Sequence, residues 1–215
     1  MENTEILDLW KNYSQQLEAN LQLNKQLTRD ITGLKVQSLL ASMKPGKVLA
    51  VVIGILWCLG VDYLLIHLWS HASLFFLVSA LLQSAITSIA IGIYLYQLVL
   101  IQQVNMDDPI LATQERLARL LSSTLWVARL SWLQLPLWTT FFLSRQLFVE
   151  NGLPAIIFQI LATGLFTGLA IWLFVNIRID HRDQKWFKLL FRGKEWTPMI
   201  KAMDMIDKIE DYKSE

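Results

Sequence analysis

Cysteine occurs once in this chain, at Cys58, so no disulfide can close within one molecule and no cysteine cluster can hold a metal ion. Histidine is nearly as scarce, with three residues, of which only His67 and His71 lie close together. Charged side chains make up 17% of the 215 residues, and 19 Lys and Arg stand against 18 Asp and Glu. That balance excludes the strongly basic surface of a dedicated nucleic-acid binder and the acidic excess of a disordered, solvated chain. Missing too are the phosphate loop G-x-x-x-x-G-K-S/T, the nucleophile elbow G-x-S-x-G and the zinc helix H-E-x-x-H. The acidic pairs Asp107-Asp108 and Glu210-Asp211 suit a helix cap and a solvated tail. The expectation is a non-enzymatic protein with no catalytic, cofactor-binding or metal-binding residue.

Long apolar runs take the place of these features. A helix rising ~1.5 Å per residue needs about 20 residues to cross a ~30 Å hydrocarbon layer. Residues 48–69, 74–101, 124–148 and 153–177 meet that length, the third being the most polar because it carries Arg129, Gln134 and Pro136. On this four-span reading six Lys and Arg precede the first span, two lie between the second and third, and nine follow the fourth. Arg145 alone falls on the opposite face, and Arg129 lies inside span three. This asymmetry predicts a bacterial inner-membrane protein with both termini in the cytoplasm. The first 40 residues are charged and amphipathic, without the short apolar core of a signal peptide, so the first span reads as an uncleaved anchor. The basic run 178–194 reads as a stop-transfer flank resting on anionic lipid, not as a nucleic-acid contact.

Outside the lipid, Ile6, Trp10, Tyr13, Leu17, Asn20, Asn24, Leu27, Ile31 and Leu34 recur at alternating spacings of four and three. That is the period of a packing seam, and residues 1–44 read as one long, coiled-coil-like helix ending near Met43-Lys44-Pro45-Gly46. Asn20 and Asn24 at consecutive seam positions weaken generic association but can fix register and partner, while Leu21 and Leu23 beside them could shift the seam. Gly33 reads as a weak point in this helix. Spans two and three extend into a cytoplasmic helical hairpin, 97–123, with Asp108 as an N-cap and Pro109 in the first turn of the returning helix. After span four, 178–194 suits a helix lying among lipid headgroups. Residues 195–215 place Trp196, Met199, Ile200, Met203, Ile206 and Ile209 on an apolar stripe. That stripe needs the N-terminal helix, the hairpin or another protein as its partner.

Within the spans small residues recur every fourth position: Ala80, Ser84, Ser88 and Gly92 on span two, Gly164 and Gly168 on span four, and Ala50, Gly54 and Cys58 on span one. Such stripes let helices approach closely, within one chain or between copies in a homo-oligomer. Asp62 and Gln134 are polar groups at membrane depth and carry the alternative reading, a small transporter or channel component. His67 and His71, four apart, could face a metal with Asp62 or Glu150, but two interfacial histidines facing water need no metal. Pro136 should kink span three near its middle.

Several short stretches resemble an uncharacterised group of bacterial four-span membrane proteins. They are Leu9-Trp10-Lys11, Tyr13, Leu17-Glu18, Asn20-Leu21, Leu23-Asn24, Met43-Lys44-Pro45 and Leu135-Pro136-Leu137-Trp138-Thr139-Thr140-Phe141. Some members of that group are encoded near alternative sigma factors, so the resemblance implies a membrane-anchored regulator. The chain lacks the His-x-x-x-Cys-x-x-Cys of zinc-binding anti-sigma domains. The sequence thus predicts an all-α, four-span transmembrane helical bundle with cytoplasmic helical extensions, acting as a scaffold or regulatory module. Its expected contact residues are Trp10, Tyr13, Leu17, Asn20, Asn24, Leu27 and Ile31, with Trp196, Met199, Met203 and Ile206. The expected partners are membrane lipid, a second copy and a cytoplasmic protein.

The charge asymmetry makes a direct prediction. In a Cys58→Ser background, Ser14→Cys and Ser214→Cys should be shielded from an impermeant thiol reagent in spheroplasts, whereas Asn151→Cys should react. Labelling of positions 14 and 214 on opposite faces would instead mean three crossings.

Overall fold

The computed structural model describes residues 2–104, 110–143, 145–181, 184–191 and 196–214. Within these, the side chains of 2–7, 29, 110–111, 145–151 and 206–214 lie outside the description. The expected N-cap Asp108 and first-turn Pro109 also lie outside the described residues. The described chain is helical, with no strand: α1 (Glu2–Ala41), α2 (Lys44–Leu68), α3 (Leu74–Gln103), α4 (Ile110–Leu133), α5 (Leu135–Thr140), α6 (Arg145–Asn176), α7 (Lys185–Leu190) and α8 (Thr197–Ser214). Three helical stretches are long and apolar enough to cross a membrane: Asp8–Leu68, Leu74–Gln103 and Gly152–Asn176.

Each interruption has a local cause. α1 passes into α2 through Ser42 and Met43 alone, and Met43 keeps helical angles of φ −82° and ψ −23°. Pro45, in the first turn of α2, has no N–H to continue the α1 ladder. The Ser42 hydroxyl donates to the Leu39 carbonyl at 2.6 Å, satisfying an acceptor left at the end of α1. α1 is therefore a direct extension of α2. Pro136 breaks the chain in the same way between α4 and α5. There Thr139 Oγ1 donates to the Pro136 carbonyl at 2.7 Å, and Thr140 Oγ1 to that of Leu137 at 3.1 Å. The stretch expected as span three is thus two helices, and helix ends at Thr140 instead of continuing to 148. Neither piece is an uninterrupted apolar helix of spanning length. α6 is also two helices, joined at Gly152, whose φ of 66° is open to glycine and strained for other residues. Residues 145–151, read as the end of span three and the loop after it, are helical and belong to α6.

The long helices pack in a row: α2 on α3, α3 on α4 and α5, and these on α6. At the end from which α1 projects, one apolar core gathers nearly every element. Val36, Leu40 and Met43 meet Leu100 and Ile101 of α3, Leu117, Leu120 and Leu121 of α4, and Leu173 and Ile177 at the end of α6. Phe187 of α7 and Trp196, Met199 and Ala202 around α8 complete it. A smaller cluster at the far end holds Val61, Leu65 and Ala80, with Phe76, Leu77 and Phe141 packed against them.

The segment after α6 departs from the expected headgroup helix. It is a 3₁₀ turn at Ile179–His181 followed by the six-residue α7. Phe187 is fully buried, with its ring centroid 4.4 Å from that of Phe191 and 5.1 Å from that of Trp196, while Leu189 stays exposed. The aromatic residues here serve the protein core more than the lipid. Phe187→Ala should cost roughly 3–5 kcal/mol of local stability. It should make the chain beyond residue 177 protease-sensitive in isolated membranes, with insertion of the helical row unchanged.

Candidate functional site

α1 has two apolar faces, and among the described residues only one is covered. Gly33, Val36, Leu40 and Met43 are buried, and α1 packs on α8. The expected seam is on the other side. Trp10, Tyr13, Leu17, Leu27 and Ile31 are exposed, as are Asn20 and Asn24. Even Leu34, beside the docked turns, is 67% exposed while Val36 is fully buried. Two residues apart on a helix is more than half a turn, so burying one seam leaves the other open. Residues 8–31 thus form about 36 Å of helix, at ~1.5 Å per residue, with an uncovered apolar stripe.

The other half of the expected contact set is used inside the molecule. Met199 is fully buried, Trp196 is 7% exposed, and Met203 packs partly buried against the same core. These residues share one core with residues of α1 and α4, and α8 packs on both helices. The side chain of Ile206 lies outside the described residues. The candidate surface therefore narrows to α1.

Among the small residues, Ala80 and Ser84 are buried, and Cys58 Sγ lies 3.8 Å from both the Ser84 carbonyl and Ser88 Oγ. A Cβ at Gly54 would lie 3.0 Å from Ile91 Cγ1, so this glycine sits at a close approach of α2 and α3. At Gly92, Gly164 and Gly168 a Cβ would meet nothing within 4 Å. Among the described residues these three are not contact points.

The polar side chains bind helices together. Ser84 Oγ donates to Asp62 Oδ1 at 2.8 Å, and Gln134 Nε2 donates to Thr87 Oγ1 at 3.1 Å. Asp62 and Gln134 thus grip neighbouring turns of α3 from its two sides. Ser79 and Thr140 pair at 2.8 Å, and Gln159 Nε2 donates to the Thr139 carbonyl at 2.7 Å. His67 Nδ1 faces the Tyr63 carbonyl and His71 Nδ1 faces Ser70 Oγ. Among the described residues no three His, Cys, Asp or Glu side chains converge on a metal position.

Three cations that periodicity did not single out have defined structural roles. Lys47 is fully buried, donating to Gln97 Oε1 with its ammonium 5.1 Å from the Tyr94 ring centroid. Arg129 Nε and Nη2 donate to the Ile177 carbonyl at 2.9 and 2.7 Å, capping the end of α6. Arg116 Nη1 likewise donates to the Gln103 carbonyl at 2.6 Å, at the end of α3. Both arginines set positive charge against the negative end of a helix dipole. Glu115 accepts from Arg119 at 2.6 Å, which raises the guanidinium pKa above its usual value.

No family model, curated protein or solved structure matches the chain.

The glycine environments separate two kinds of site. Gly54→Leu should lower stability in detergent by about 1–3 kcal/mol through overpacking against Ile91. Gly168→Leu should leave the single chain's stability unchanged, read by thermal unfolding of the detergent-solubilised monomer. An equal loss at Gly168 would show that its face is covered.

Proposed function

We propose that this chain is a non-enzymatic, membrane-anchored scaffold or regulatory module that works through α1. The supporting observation is the contrast between α1 and α8. Both are amphipathic, yet α8 buries Met199 and Ala202 completely while α1 leaves Trp10, Tyr13, Leu17, Leu27 and Ile31 in the open. Isolated helices are marginal in water, and so large an apolar stripe calls for a covering surface.

The reading includes four crossings of a bacterial inner membrane with both termini in the cytoplasm. Support for the third crossing comes from the way α4 and α5 follow α3. Arg116 meets Gln103, Gln134 meets Thr87, Thr140 meets Ser79, and the Leu143 carbonyl accepts from Ser73 Oγ at 2.7 Å. The broken pair therefore keeps pace with α3 from one end to the other. Asp62 and Gln134, on which a transport reading would rest, both hold hydroxyls of α3, which favours a packing role.

The test places a photo-crosslinking amino acid at Ser14 of the full-length protein in native membranes. Leu17→Asp combined with Leu27→Asp should leave insertion intact and abolish every adduct. Adducts that survive the double substitution would mean that α1 is a solvated leader and would remove the main support for the reading.

A further inference from the structure

We propose that residues 8–35 of α1 pair in parallel and in register with the same segment of a second copy of this chain. The inference rests on the reading of α1 as the contact surface and names its occupant. Three features favour a second copy over a foreign helix.

The first is direction. α1 continues into α2 through two residues with helical geometry at Met43, so any two copies anchored in one membrane project α1 the same way. Only a parallel arrangement is then open to them. The docking of Val36, Leu40 and Met43 uses roughly the opposite side of the helix, at 100° per residue, and leaves the seam clear along its length.

The second feature is the pair of amides. In a parallel, in-register pair Asn20 faces Asn20 and Asn24 faces Asn24. An amide carries both donors and an acceptor, so it is complementary to a copy of itself. An apolar partner groove would leave both amides unpaired on burial, which costs about 1–3 kcal/mol for each stranded group.

The third is charge. In a parallel pair, flanking residue i of one helix lies beside residue i+5 of the other. Asp30 and Lys35, both exposed, are five apart and flank the seam, so the pair makes two reciprocal contacts of opposite sign. Segment 8–35 carries three acidic and four basic residues, so each copy brings only one net positive charge to the pair.

Single cysteines in a Cys58→Ser background of the full-length protein, oxidised in native membranes with copper phenanthroline, test the pairing. Leu17→Cys and Leu27→Cys, on the seam, should give disulfide-linked dimers in roughly tenfold greater yield than Gln15→Cys and Gln22→Cys, because only seam positions bring identical residues within disulfide reach. Equal yields at all four positions would signify random collision and overturn the proposal. No dimer at positions 17 and 27, together with a Ser14 photo-adduct to a different polypeptide that the double Asp substitution abolishes, would also overturn self-pairing while leaving the interaction-module reading intact. Absence of both disulfides and adducts would remove both.

Discussion

One apolar core, at the end where α1 joins the long helices, determines what the rest of the molecule can do. Leu117, Leu120, Ile177, Phe187 and Met199 join residues of α1 and α3 in one packed mass. α1 contributes to it only through its last turns, at Val36 and Leu40 with Met43 after them. Upstream of Gly33 no described element covers the helix, so the core both fixes the direction of α1 and ends where the exposed stripe begins. Anchoring and exposure are two consequences of the same burial.

Between the long helices the contacts are more polar, as the proposed membrane setting requires, since lipid offers no apolar contrast to drive helices together. α3 is the hub. Its hydroxyls at Ser84, Thr87 and Ser79 pair with Asp62 from α2, Gln134 from the α4 break and Thr140 from α5. Interhelical bonds of this kind are worth about 0.6 kcal/mol on average, so it takes several to hold a row. That is how a stretch interrupted by Pro136 keeps its place: Gln134 ties the break to α3, and Thr139 meets Thr163 of α6 at 3.0 Å. The two arginine caps at Gln103 and Ile177 close the same helices at their carbonyl ends.

Local chemistry made part of this legible. The helical content, the spanning length of residues 74–101 and the break at Pro136 follow from apolar run length and from a missing N–H, neither of which depends on distant residues. The docking face of α1 was not legible, because Val36, Leu40 and Met43 repeat at the same alternating spacing as the predicted seam. Periodicity cannot choose between two apolar stripes on one helix. Gly33 looked like a weakness in the helix and is a buried position beside the docked turns. Lys47 counted as a flanking charge, since a lysine at a helix end normally reaches water; its burial depends on Tyr94 and Gln97, far along the chain. Phe187 was not legible for a similar reason, because an amphipathic segment fits a lipid surface and a protein core equally well.

The tether bears on how strong the seam needs to be. A segment of this length interrupted by two asparagines is a poor coiled coil in free solution, where helix formation and association must both be driven by the same few apolar positions. Packing of Val36 and Leu40 already secures one end of α1, and the short passage at Ser42 and Met43 aims it. On the proposed pairing, two copies anchored in one membrane would meet with their seams parallel and at high effective concentration, which removes most of the orientational cost of pairing. A weak, register-specific seam is suited to that setting. A seam of that kind would associate in proportion to the density of anchored copies and separate when they are dilute, the behaviour that the proposed scaffold requires and a permanently fused dimer would lack.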